Sequence, residues 1–191
     1  LVSIVALAAL LAAPFVFQTA EKPVVVKIRK GSDAAAIGEE LRSRLGDGMG
    51  SRVMTLLKLM NANLDNCYGA YNVDIGATPL SVARAIRNHR RAAVKVVLRE
   101  FRTIDNLCSF LGGSLMIEPD SLKAALSSPE ICEKYGKKPQ TVIGIFIPDT
   151  YDIYWHTSIG ALLDKLYANY NSFWNETRVE KAKSLGLTPD E

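Results

Sequence analysis

The rhythm of apolar and polar positions changes several times along the chain, and each change marks an element. Leu1 to Phe17 is apolar throughout, with Ser3 its only polar interruption. From Pro23 to Gly31 a β-branched run takes up lysine and arginine near its end, which predicts a half-exposed strand. Ile37, Leu41 and Leu45 then recur four apart, predicting a helix capped by Ser32 or Asp33 and running to about Leu45. The glycines of GDGMG read as its end. A second helix carries Val53, Leu56, Leu57 and Met60, and Cys67 to Val73 returns as a strand. Thr78 followed by Pro79 is the start signal of a further helix, with Leu80, Ala83 and Ile86 inward.

The second half repeats the alternation. Ala92 to Phe101 predicts a strand, and Ile104, Leu107, Cys108 and Leu111 form one stripe of a capped helix. Pro119 and Pro129 each open a short helix. The apolar run Val142, Ile143, Ile145, Phe146 and Ile147, interrupted only by Gly144, predicts a buried strand that Pro148 stops. Asp149 and Thr150 are turn residues. Tyr151, Ile153 and Trp155 recur at period two, predicting a second strand that leaves a tight corner with its aromatics in the core. After a cap at Thr157 or Ser158, apolar and aromatic residues from Ile159 to Trp174 recur at three and four, the signature of a buried helical stripe. Asn175 starts a charged helix that Gly186 ends. Thr188, Pro189, Asp190 and Glu191 then read as the cap and first turn of one more helix.

Composition narrows the classes. With 191 residues, 48% hydrophobic and 23% charged, the chain can build one sizeable core or two small ones. A net charge of +3 gives no argument for nucleic acid as a partner. Glycine-rich nucleotide loops and zinc-ligand spacings are missing, and the two histidines, His89 and His156, are far apart, so neither a metal nor a nucleophilic triad has sequence support. Cys67, Cys108 and Cys132 are widely spaced and read as small buried hydrophobes. The most basic stretch runs through Arg84, Arg87, His89, Arg90, Arg91, Lys95, Arg99 and Arg102, either a solvated face or an attraction to anionic lipid or peptidoglycan carboxylates. The uncharged start falls just short of the roughly 20 residues that cross a bilayer. It begins without Met and without a basic flank, so the expectation is most of a truncated transmembrane anchor, residues 1–20, with a signal peptide or a buried helix as rivals.

The corner carries more than packing. Gly144, Pro148, Asp149, Thr150 and Tyr151, within IGIFIPDTYDIYW, resemble the E-G-x-x-x-P-D-T-Y block of the endolytic murein transglycosylase (YceG-like) family, membrane-anchored bacterial enzymes that earlier bore an aminodeoxychorismate lyase-like label. Ile143 stands where that family commonly has Glu. GAYNV followed by GATPLSVARAI resembles a second family spacing. In LREFRTIDNL, Glu100 matches the family's strand-to-helix entry, while Phe101 stands where Gly is usual. The likeness covers most of the chain from about Val24, with several motif positions departing.

The resemblance implies an α+β protein with an N-terminal transmembrane helix, a LysM-like small α+β module over residues 21–91 and the first part of a mixed α/β catalytic domain over 92–191. It implies cleavage of the β-1,4 bond between N-acetylmuramic acid and N-acetylglucosamine within nascent glycan strands, without metal or cofactor. Its implied location is the inner membrane, single-pass, with the soluble part in the periplasm. Implied partners are peptidoglycan strands, that membrane and the cell-wall synthesis machinery. Substrate-binding candidates are Asp149, Thr150, Tyr151 and Trp155. The family's catalytic Glu is expected beyond Glu191, and Glu176, Glu180 and Glu191 are not candidates for it. The alternatives are a non-catalytic peptidoglycan-binding or scaffolding membrane protein, and a pyridoxal-phosphate lyase, which would need a buried lysine together with a phosphate cradle.

Overall fold

The computed structural model describes residues 18–189, together with Ala13 and Phe15. Two compact units divide the chain between Ala93 and Val94, each with its own core.

In the first unit strand β1 (Val24–Ile28) precedes helices α1 (Ala34–Leu45) and α2 (Asp47–Leu59), and strand β2 (Gly69–Val73) returns to pair with it. The pairing is antiparallel, from Val24 opposite Val73 to Ile28 opposite Gly69. Helix α3 (Pro79–Arg87) follows. Local chemistry places the caps: Asp33 accepts from the amide of Ala36 and Thr78 from that of Ser81. Ile37, Leu41, Val53, Leu57, Tyr71 and Ile86 close the core. Gly46 ends α1 as expected, while the rest of GDGMG already belongs to α2. A Cβ on Gly50 would stand 2.5 Å from the backbone nitrogen of Arg42, so this glycine lets α2 lie directly on α1. The Tyr71 hydroxyl donates to the carbonyl of Cys67, and burial pushes its pKa up to about 12.

The second unit holds strand β3 (Ala93–Val97, its first residue at the division), helices α4 (Ile104–Ser114), α5 (Pro119–Ser127) and α6 (Pro129–Lys134), strand β4 (Thr150–Tyr154), and helices α7 (Ile159–Phe173) and α8 (Glu176–Ser184). β3 and β4 form a two-stranded sheet. Thr103, Ser128, Ser158 and Asn175 cap α4, α6, α7 and α8. The stripe of α7 is inward at Leu162, Leu163, Leu166 and Tyr170.

Three expectations need correction. The α+β class holds, but among the described residues no helix is long and apolar enough to cross a membrane. The anchor expected at residues 1–20 falls largely on residues outside those described. The run at Val142–Ile147 is not a strand: Val142–Ile145 is a turn of 3-10 helix, with Val142 and Ile145 buried three residues apart and the amide of Gly144 bonded to the carbonyl of Thr141. An unbroken apolar run has no period of its own, so turn hydrogen bonds decide its form. The "mixed α/β" portion is, in the described residues, a single strand pair among helices. The three cysteines are free and buried.

Candidate functional site

The 3-10 turn delivers the chain to a sharp corner, and the corner is braced from beneath. Phe146 donates its amide to Ile143, after which Ile147 and Pro148 lead into β4. Pro148 has a fixed φ and no amide hydrogen, so the strand's hydrogen bonding starts beyond it. Asp149 accepts at Oδ1 from the amide of Thr150, 2.7 Å away, which folds its carboxylate onto the turn. Its carbonyl accepts from the amide of Leu98, fastening the start of β4 to the end of β3.

Tyr151 is the brace. Its side chain is buried, with 5% exposure, and its hydroxyl donates to the carbonyl of Ile147 at 2.8 Å. The hydroxyl also accepts from Nδ2 of Asn169 on α7 at 2.8 Å. Burial raises its pKa above the ordinary tyrosine value. Lys165, also on α7, donates to the carbonyl of Asp152 and fixes the strand one residue further on.

Beside the corner lies a cleft of about 250 Å³. Glu100 and Phe101, just past β3, line it together with Ile143, Gly144, Phe146, Ile147 and Pro148. Its only ionisable lining group is the exposed carboxylate of Glu100, which has no ion-pair partner among the described residues.

The four expected binding residues therefore separate into two kinds. Asp149 and Thr150 are exposed at the corner, adjoining the cleft through Pro148. Tyr151 and Trp155 are buried, at 5% exposure each. Asn169 and the Glu100–Phe101 wall are site elements that the sequence reading did not assign to a site. Glu100 stood in a quoted motif, but nothing in the sequence brings it to residues more than forty positions later.

The YceG-like family model matches residues 26–191. The chain belongs to the YceG-like family. A yceG-like protein of Listeria monocytogenes, known from a crystal structure, is similar at a TM-score of 0.47 and 15% identity. That match covers 88% of this chain and 60% of the Listeria protein, so this chain spans three fifths of its length. No curated protein matches.

In this YceG-like chain none of the described carboxylates is buried. Every described Asp and Glu is exposed except Glu40, half-buried, whose Oε1 accepts from the amide of Lys27 and from Nε of Arg44. Among the described residues no group of three His, Cys, Asp or Glu side chains is arranged to hold a metal ion. Their one buried charged side chain is Lys137, at 7% exposure. Its ammonium donates to the Tyr170 hydroxyl at 2.6 Å and lies 4.2 Å from the centroid of that ring. Lys137 lines neither this cleft nor a second, of about 380 Å³, beside Gly46 in the first unit.

Proposed function

We propose that the chain serves endolytic cleavage of peptidoglycan as a lytic transglycosylase, its second unit contributing one wall of the glycan-binding cleft. The observation that carries this reading is the exposed Asp149–Thr150 corner beside an apolar cleft, braced by Tyr151 and Asn169, in a chain of the YceG-like family. Sugars present alternating apolar faces and hydroxyl rims, and a rigid polar edge beside an apolar floor suits both.

The chemistry proposed is cleavage of the β-1,4 bond between N-acetylmuramic acid and N-acetylglucosamine. A carboxylic acid donates its proton to the glycosidic oxygen as the bond from C1 breaks. The muramyl 6-hydroxyl attacks C1 and passes its proton to the resulting carboxylate, leaving a 1,6-anhydro end. No water is consumed and no second carboxylate is needed, which separates the reaction from retaining hydrolysis. Asp149 and Thr150 bind and orient the strand in this scheme; neither is the acid. Proposed partners are glycan strands and the machinery that synthesises them.

The exposure of the described carboxylates favours a second reading, a non-catalytic peptidoglycan binder or scaffold. With the family's Glu expected beyond Glu191 and this chain expected to be inactive by itself, mass spectrometry of purified sacculi incubated with the full-length gene product tests both. Muropeptides with 1,6-anhydro ends, reduced at least about tenfold by a paired Asp149→Ala and Thr150→Val change, are expected for the enzyme. Reducing ends would mean hydrolysis and overturn the transglycosylase. Sacculus binding with no new ends would leave the binder.

A further inference from the structure

The cleft beside the corner has a composition that selects among the groups a glycan carries. Phe101, Ile143, Phe146 and Ile147 give it an apolar lining, and Glu100 is its one charged group. Gly144 lines it without filling it, since a Cβ there would meet no atom within 4 Å. An occupant is therefore small, mostly apolar and equipped with a hydrogen-bond donor for the carboxylate.

Three substituents of a peptidoglycan strand can be weighed against this site. A bare hydroxyl would leave the apolar lining uncovered and lose water on the side away from Glu100. A peptide ammonium would find its carboxylate but leave the apolar lining uncovered and lose part of its own hydration against it. An acetamido group is neutral, carries a methyl for the apolar lining and has one N–H for Glu100. Resting on the reading of the substrate as a glycan strand, we infer that this cleft is a subsite for the 2-acetamido group of a hexosamine. Its methyl packs among Phe101, Ile143 and Ile147, and its N–H donates to the Glu100 carboxylate.

The test is an amide-resolved NMR titration of the whole chain with three tetrasaccharides: N-acetylglucosamine, glucosamine and glucose oligomers, all β-1,4-linked. The inference expects the acetylated oligomer to shift the amides of Glu100, Phe101, Gly144 and Ile147. It expects the glucose oligomer to bind about tenfold more weakly or worse, the factor for losing one charge-assisted hydrogen bond with its methyl contact. Gly144→Val fills open space at an exposed position, so the fold is kept and the preference for the acetylated oligomer is lost. Glu100→Gln, also exposed, weakens acetylated binding while Phe101 and Gly144 still respond. Tighter binding of the glucosamine oligomer would make this an ammonium site and overturn the inference. Equal binding of acetylated and plain oligomers would overturn it too, and if sacculi were still bound, the glycan reading would stand without this subsite. No binding to oligomers or sacculi would overturn both.

Discussion

Both units use the same brace, and they differ in what the brace holds. In the first, the Tyr71 hydroxyl reaches back four residues to the carbonyl of Cys67, just before β2. In the second, the Tyr151 hydroxyl reaches back four residues to the carbonyl of Ile147, just before β4. The first tie is buried, between a residue 1% exposed and a fully buried cysteine. The second reaches a residue that lines a cleft, with Asn169 supplying the second hydrogen bond. A rigid turn closed over by a core is structure; the same turn left beside open space can recognise a ligand. Charge divides similarly. Residues 18–93 hold 12 Lys and Arg against 7 Asp and Glu, and residues 94–191 hold 11 against 13. The first unit thus carries a net positive charge and the second a net negative one.

The sharpest way to break the comparison is to damage one unit alone. Trp155→Ala removes an aromatic at 5% exposure and should cost about 3 to 5 kcal/mol. Trp155 follows β4 in the second unit, and its carbonyl accepts from the amide of Met116 just past α4, so amide exchange should accelerate across β4 and α4 while β1 and β2 keep their protection. Equal acceleration in both units would show that they unfold as one block. Unchanged stability with lost glycan binding would move Trp155 from core to site.

A smaller effect is expected at Gly50. Alanine gains about 1 kcal/mol over glycine within a helix, but here its Cβ meets backbone atoms of Leu41 and Arg42 at 2.5 to 2.6 Å. Backbone cannot rotate aside, so overpacking of about 1 to 3 kcal/mol wins and Gly50→Ala destabilises. Gly112 offers the control in the second unit. Its Cβ would meet one atom of the Pro119 ring at 2.5 Å, with the next ring atom at 2.9 Å and the Ile117 carbonyl at 3.1 Å, a looser fit than the three backbone atoms at 2.5 to 2.6 Å around Gly50. Urea midpoints should therefore fall further for Gly50→Ala than for Gly112→Ala. The reverse order would mean that α1 and α2 separate easily.

Gly50 also shows where the sequence misleads. A glycine-rich GDGMG has the composition of a break, and only the neighbouring helix reveals it as a contact surface. Helix caps at Asp33, Thr78, Ser158 and Asn175 were legible because cap and amide lie within a few residues. The alternation Tyr151, Ile153, Trp155 was legible because a strand with one buried face writes its period into the sequence. The run before Pro148 was misread, since apolar residues on all sides leave no period to read. Half of the candidate site was legible. Asp149 and Thr150 belong to a local turn motif, while Glu100 and Asn169 meet their partners only across 18 residues or more.

The smallest effect returns to the paired braces and reads them one against the other. Tyr71→Phe leaves the Cys67 carbonyl without its donor in a place water does not reach, at a cost of about 1 to 2 kcal/mol. Tyr151→Phe frees a carbonyl and an amide beside the cleft, where both residues are half-buried and water can substitute, so about 1 kcal/mol or less is expected. Alkali separates the two further. Burial raises the folded pKa of Tyr71 from 10 to about 12, so its contribution is complete below pH 10 and is lost as pH rises toward 12. Circular dichroism melts between pH 9 and 12 should show this loss in the wild type and a shallower one in Tyr71→Phe. Tyr151, also raised by burial, follows the same sign, but in its variant most of the alkaline loss should remain because Tyr71 still titrates. If Tyr151→Phe flattened the alkaline limb more than Tyr71→Phe did, the deeper brace would be the one at the cleft, and the contrast between the two units would be inverted.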